Sequence, residues 1–356
     1  MAAVIFFGFN SFITHKRGVE NVILNQSKAL ECKKYYISFD EKYRKYEYEN
    51  IECYSIKNNI FFPIVLNVLV IYLSIINSGL RIHSHNYLFS LVSLCRIDLF
   101  SVHDGLCYQY CKINNSVGKV KYLILFFIEK FVYRRAKKIH VISDFTKDNC
   151  LLGSRELKKV IKIYNTVPFV LEKLSDEKHK STDLGNEKRN VLIVRSIEER
   201  ALLPMIFEVA TQMLDFEFVI CGKGPLLEQY RNDIADRDIN NVFLQGFVDD
   251  ALLAQYYINA DIVVVPALYG EGFGLPVIEG YLFNKPVIAS DVCALPEVII
   301  DPNWLFDNTV NDLLNKLESF VFIERDKRFK EYYVENFGFS SYQNKMSKLY
   351  KELDFV

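Results

Sequence analysis

The sequence predicts two α/β domains in series, each built on a mostly parallel sheet with helices on both faces, and three observations carry that prediction. Strand-length apolar runs alternate with helix-length segments, the alternation stops at a polar stretch near the middle, and it then restarts. The length agrees, since 356 residues exceed the ~250 at which a single core usually stops growing. Half of the residues are apolar and 14% aromatic, which is ample core material and excludes a disordered chain.

In the first half, Ala3 to Phe9 reads as a strand, the polar loop NSFITHKRG follows, and Val19 to Leu30 repeats apolar residues at helical spacing. Further strands are expected at Lys34 to Phe39, Arg81 to His85, Leu99 to His103, Lys138 to Ser143 and Val160 to Tyr164, with helices between. Residues 1–170 thus form a first Rossmann-like domain, and the polar, aperiodic residues 171–190 are read as the linker. A second Rossmann-like domain over 191–339 has strands at Val191 to Val194, Glu217 to Cys221, Val242 to Leu244, Asp261 to Val265 and Pro286 to Ser290. The C-terminal helix, 340–356, is expected to rejoin the first domain.

The formal net charge of −1 hides an asymmetry: residues 1–170 hold 24 Lys and Arg against 13 Asp and Glu, and the remainder is correspondingly acidic. A basic half suits anionic lipid headgroups, nucleic acid or a phosphorylated substrate, and equally an ordinary solvated surface. The eight cysteines have no metal or disulfide spacing and read as buried small hydrophobes in a reducing compartment. MAAVIFFGFN reads as a first strand, since it lacks the basic start of a signal peptide. Ile60 to Ile76 is at the short limit for a membrane span and is read first as a buried sheet-covering helix, second as one that dips into a membrane. Lys121 to Lys138, an apolar and aromatic run ending in a basic cluster, suits a helix in the headgroup layer or a core helix with a solvated end.

Chemistry concentrates in YGEGFGLPVIEG, residues 269–280. The strand before it and Pro276, placed to open a helix, put Glu271, Gly272, Phe273, Gly274 and Leu275 on a strand-to-helix turn at the carboxyl edge of the sheet, where open α/β sheets bind ligands. Glycines there let amides face a phosphate. Glu271 suits adjacent sugar hydroxyls, and Glu279, about 5 Å further along the helix axis, suits a second diol such as a ribose. Two carboxylates gripping hydroxyls on either side of a phosphate site describe a nucleotide sugar. A glycosidase pair would need a water or nucleophile position between the acids, which this turn does not provide. Fixed positive charge comes from Arg195 at a strand end and Arg200 at the next helix entry, with a plain ion pair to Glu198 or Glu199 as the alternative for Arg200. Gly222 lies in a third turn of this kind, Gly246, Phe247 and Val248 in a fourth whose backbone suits a nucleobase edge, and Asp249 or Asp250 caps the helix that follows.

Val191 to Val298 resembles the donor-binding domain of the GT-B retaining glycosyltransferases of family 4, through RSIEER, CGKGP, the segment from GFV to YYINADIVVVP, and the E-x7-E block EGFGLPVIE followed by NKPVIAS and LPEV. The resemblance implies two facing Rossmann-like domains with a nucleotide-sugar cleft between them. It implies further that Glu271 holds the donor sugar, Glu279 the ribose, and Arg195 with Arg200 the diphosphate. Arg200 stands where the family has lysine, and Val194 where it usually has glycine. The first half resembles the acceptor domain more loosely: Gly18 lies at the turn that approaches the donor phosphate, and His103 in SVHDGL matches the histidine over the donor sugar, after the strand RIHSHN. Alone, His103 reads as an ordinary satisfied histidine.

The expected activity is transfer of a hexose, with retention and without a metal or other cofactor, from a UDP- or GDP-sugar to a lipid-linked or oligosaccharide acceptor in bacterial surface polysaccharide synthesis. The expected place is the cytoplasmic, anionic face of the cell membrane, with no nucleic-acid partner. Two other readings remain: a GT-B nucleotide-sugar epimerase, for which Asp104 is the attractive acid/base, and a degenerate glycan-binding protein.

Overall fold

A computed structural model describes residues 2–14, 18–113, 118–176, 188–319 and 327–355. The chain divides into two compact units, residues 1–165 with 340–356 and residues 166–339.

In the first unit the strands are β1 (Ala3–Asn10), β2 (Lys33–Asp40), β3 (Arg44–Tyr48), β4 (Ile51–Lys57), β5 (Leu80–Ser84), β6 (Leu99–Val102), β7 (Lys138–Val141) and β8 (Val160–Lys162). They form one sheet in the order β3-β4-β2-β1-β5-β6-β7-β8, parallel except for the β3–β4 pair. That hairpin was not expected from the sequence. RKYEY carries three charged side chains on an edge strand, and the turn places Glu49 and Asn50 at φ 45° and 62°, a left-handed pair that matches strand twist but lacks the usual glycine.

The helix Phe62–Ile76 covers the sheet as expected, through Leu66, Val70 and Leu73. Its other side is a correction, because Ile64, Val68, Ile71, Tyr72, Ile75 and Ile76 are exposed. The segment is apolar almost throughout, Asn67 and Ser74 being its main breaks, so its sequence carries little period that tells one face from the other. Tyr87–Val92 and Lys119–Arg135 pack into the same core through Phe89, Val132 and Tyr133, on the same sheet face. The opposite face is covered by Gly18–Ser27 and by the C-terminal helix Phe339–Glu352, whose Tyr342, Met346, Leu349 and Tyr350 join Phe6, Ile23 and Tyr36.

In the second unit all strands are parallel: β9 (Arg189–Val194), β10 (Phe216–Cys221), β11 (Val242–Gly246), β12 (Ile262–Val265), β13 (Val287–Ser290) and β14 (Leu305–Phe306), in the order β11-β10-β9-β12-β13-β14. The order reverses direction between β9 and β12, the switch point at which such sheets open a ligand crevice. Residues 171–190 are not one continuous linker: Phe169–Asp176 is helical, β9 begins at Arg189, and 177–187 lie outside the described residues. Among the described residues no cysteine is in a disulfide; Cys53, Cys107 and Cys221 are buried, whereas Cys111 is exposed, against expectation.

Candidate active site

In the second unit the site residues gather at the carboxyl ends of β9 and β12. Arg195 follows β9 directly and is buried, its amide donating to the Cys221 carbonyl at 3.0 Å. A Cβ at Gly222 would run into the Arg195 carbonyl oxygen, so glycine there lets the turn after β10 close over this backbone. Arg195 Nη1 donates to Glu271 Oε2 in a partly buried ion pair, and the buried Arg195 Nε has no partner among the described residues. The pair joins positions 76 apart in the chain.

Glu271 Oε1 accepts the Gly274 amide at 2.9 Å. This corrects the expectation that the glycine-turn amides are all free for a phosphate. The first amides of a helix lack intrahelical acceptors, and the carboxylate three residues earlier satisfies one of them. Gly274 itself is required by conformation and packing: its φ is 101°, and a Cβ would sit 2.8 Å from Leu295 Cδ2. The helix Leu275–Leu282 starts one residue before Pro276, which occupies its second position. Phe273 is buried, whereas Gly272 and Leu275 are half-buried.

Glu279, on this helix, is buried and accepts the Tyr257 hydroxyl at 2.7 Å on Oε2. Burial pushes its carboxyl up to about 7, with Asp250 and Glu271 adding repulsion and the Tyr257 bond opposing both. Tyr257 comes from Asp250–Asn259 and lies parallel to Phe283 at 5.2 Å; the sequence reading did not single it out. Its only sequence signal was its place in YYINAD.

Arg200 donates to Glu198 Oε2 at 3.1 Å and, through Nη1, to the Gly270 carbonyl at 2.7 Å. The plain pairing with Glu198 is therefore present, and the same guanidinium straps the turn that carries Glu271. Gly246 accepts the Gly222 amide at 2.8 Å, bringing the third and fourth turns together. Phe247, 70% exposed, has Lys223 Nζ 5.1 Å from its ring centre, and Val248 beside it is half-buried. Asp249 caps the next helix by accepting the Leu252 amide at 2.8 Å.

The other two candidates belong to the first unit. Gly18 is exposed as the first residue of Gly18–Ser27; Arg17 lies outside the described residues. His103 follows β6, half-buried, with its Nε2 2.9 Å from His85 Nδ1. His83 bridges Tyr350 and Ser101, and Ser101 reaches His140, whose other nitrogen meets the Ile163 carbonyl at 2.9 Å. Burial, with mutual repulsion, holds these rings well below the ordinary histidine range: His103 falls to about 3, His140 to about 4, and both are neutral at pH 7.

Residues 175–336 match the family of glycosyl transferases group 1. An uncharacterized 41.2 kDa protein in the cps region of Klebsiella pneumoniae is 25% identical over 264 residues, 70% of each chain. Sucrose-phosphate synthase from Thermosynechococcus elongatus superposes with a TM-score of 0.77 at 17% identity, covering 99% of both chains. Anabaena HepE, in complex with UDP and glucose, superposes with a TM-score of 0.75 at 14% identity, covering 99% of this chain and 100% of that one. Residues 175–336 thus carry a glycosyl transferases group 1 domain, within a chain whose whole length has the two-domain GT-B fold.

Proposed function

We propose that this chain is a retaining hexosyltransferase that takes the sugar of a UDP- or GDP-sugar to a lipid-linked or oligosaccharide acceptor. The observation that carries the reading is the gathering of Arg195, Arg200, Glu271 and Glu279 around one glycine turn at the switch point of the second sheet. Each carboxylate oxygen keeps a lone pair beyond the bond it already accepts, so Glu271 takes donor-sugar hydroxyls and Glu279 the ribose diol. Arg195 and Arg200 compensate the charge that grows on the diphosphate as the bond from the sugar anomeric carbon to phosphate oxygen breaks. The acceptor hydroxyl bonds to that carbon on the face the diphosphate leaves, and its proton passes to the departing phosphate oxygen. Neither a protein nucleophile nor a metal takes part, and His103 binds the sugar. The cps-region relative supports a surface polysaccharide as the product class.

The acceptor end is assigned to an anionic membrane surface. The helices Phe62–Ile76 and Lys119–Arg135 expose apolar side chains such as Ile75 at 77% and Phe127 at 60%, with Leu88 and Leu94 also exposed between them in the chain. Between Cys53 and Ser143 the only acids are Asp98, Asp104 and Glu129, none exposed, against eleven Lys and Arg. An apolar face with no exposed acid among its residues suits anionic headgroups over a second protein. Among the described residues no helix is long and apolar enough to cross a membrane.

A thermal-shift panel of UDP-, GDP-, ADP- and dTDP-sugars tests the donor site, since a ligand at 100 times its Kd adds ~2.7 kcal/mol; no shift with any of them removes the reading. Glu271→Ala is expected to weaken the sugar-dependent part of binding and spare that of the nucleoside diphosphate. Flotation with phosphatidylglycerol vesicles, reversed by salt and reduced by Ile75→Glu, tests the membrane assignment; no flotation ends it.

A further inference from the structure

His85 is the second histidine of RIHSH, buried at 1% exposure, and nothing above uses it. Its Nδ1 lies 2.9 Å from His103 Nε2. The ring centroids are 5.2 Å apart with planes 25° from parallel, so the rings meet end to end, as an N–H···N bond requires, and do not lie face on. With both rings neutral, one of these nitrogens carries the proton and the other accepts it.

The rest of the His85 ring decides which. His85 Nε2 is buried with no partner among the described residues. If His103 donated, the His85 proton would sit on Nε2 as a buried N–H without an acceptor, the rarer and costlier orphan. If His85 Nδ1–H donates, only a bare lone pair is left there. His103 Nε2 is then an acceptor and the His103 proton is confined to Nδ1, which has no partner among the described residues. This is the tautomer that a free imidazole side chain disfavours in water.

We infer that His85 is a positioning residue that locks His103 into the Nδ1–H tautomer, so that His103 offers its ligand a hydrogen-bond donor and selects an oxygen acceptor there. The inference deepens the sugar-binding role proposed for His103 and rests on that role only for the identity of the acceptor, a sugar oxygen. The lock itself is a property of the first unit. Depressed basicity supports it, because a neutral His103 cannot escape the choice by carrying both protons.

Long-range proton–nitrogen correlation on the ¹⁵N-histidine-labelled full chain at pH 7 reads the lock without any ligand. The expected spectrum has a protonated Nδ1 and a bare Nε2 on His103; the reverse pattern, or an even mixture, overturns the inference. His85→Asn puts an amide N–H where Nδ1 stood and should keep the His103 pattern, whereas His85→Phe fills the space without a donor and should release it towards Nε2–H. If both variants leave the pattern unchanged, something other than His85 sets the tautomer and the inference fails. With a UDP- or GDP-sugar that shifts the melting point, His85→Phe should lower kcat/KM about tenfold and His85→Asn should restore most of it. Tautomer control without a kinetic effect would keep the lock and remove the sugar-binding role of His103.

Discussion

The two units bury polar side chains near their strand ends by opposite means. In the first, His83, His85, His103 and His140 are kept neutral and joined to Ser101, Tyr350 and one another. In the second, a buried Arg195 and a half-buried Glu271 form a charged pair, and Glu279 is a carboxyl pushed up to about 7. A neutral network costs little desolvation but offers only hydrogen bonds, so these histidines can orient a ligand and little more. A buried ion pair costs more to desolvate, yet keeps ready-made charge for a group that becomes anionic. On the proposed function, charge compensation falls to Arg195 and Arg200 of the second unit.

Acid should separate the units most clearly. Below pH 6.5 the unfolded His83, His85 and His140 rings take up protons that the folded rings refuse, so folding free energy is lost as pH falls. Each such proton costs about 1.4 kcal/mol per pH unit, or roughly 4 kcal/mol for three rings at pH 5.5. Glu279 acts in the other direction. Its folded form binds a proton below about 7 while its unfolded form stays ionised down to the ordinary glutamate range, so the second unit gains about 2 kcal/mol between pH 7 and 5.5. Hydrogen exchange at the two pH values, corrected for intrinsic rates, should show β5, β6 and β7 losing protection while Leu275–Leu282 does not. Equal loss in both units would break the comparison.

Arg195→Ala attacks the second unit's solution directly. It leaves Glu271 partly buried with only the Gly274 amide to compensate it, which should cost about 2 kcal/mol in urea unfolding and at least ~100-fold in kcat/KM. Arg195→Ala with Glu271→Ala should recover part of the stability and none of the turnover. If the single variant unfolds within ~0.5 kcal/mol of the parent, the pair is not held as described.

The contrast was only partly legible in the sequence. Strand and helix alternation gave both parallel sheets, and the E-x7-E block gave the turn, because those signals are local and periodic. The partners were not: Arg195 meets Glu271 across 76 positions, Tyr257 meets Glu279 across 22, and His85 meets His103 across 18. Each pairing is made by strand order or by helix packing, which periodicity does not encode. Glu271 was read as a free sugar acceptor because nothing in EGFGLP announces that its own carboxylate caps Gly274 and binds Arg195. The exposed outer face of Phe62–Ile76 fits only the second, membrane-dipping reading, because a segment with so few polar positions, Asn67 and Ser74 among them, gives little by which to tell its faces apart.

Glu279 gives the finest test of the comparison. A ribose diol that donates to its carboxylate favours the ionised form, so nucleoside diphosphate binding should pull the carboxyl below its free value of about 7. Binding at pH 7 would then release at most about half a proton, rising towards one at lower pH, and affinity should fall by at most about tenfold per pH unit as pH drops below 7. Calorimetry of UDP and GDP binding in buffers of different ionisation enthalpy measures that release. Glu279→Gln keeps the Tyr257 hydrogen bond but has no proton to lose, so its binding enthalpy should be independent of the buffer. A variant that still releases the proton would assign the titration to another group, and a parent that releases none would mean that the ribose does not donate to Glu279.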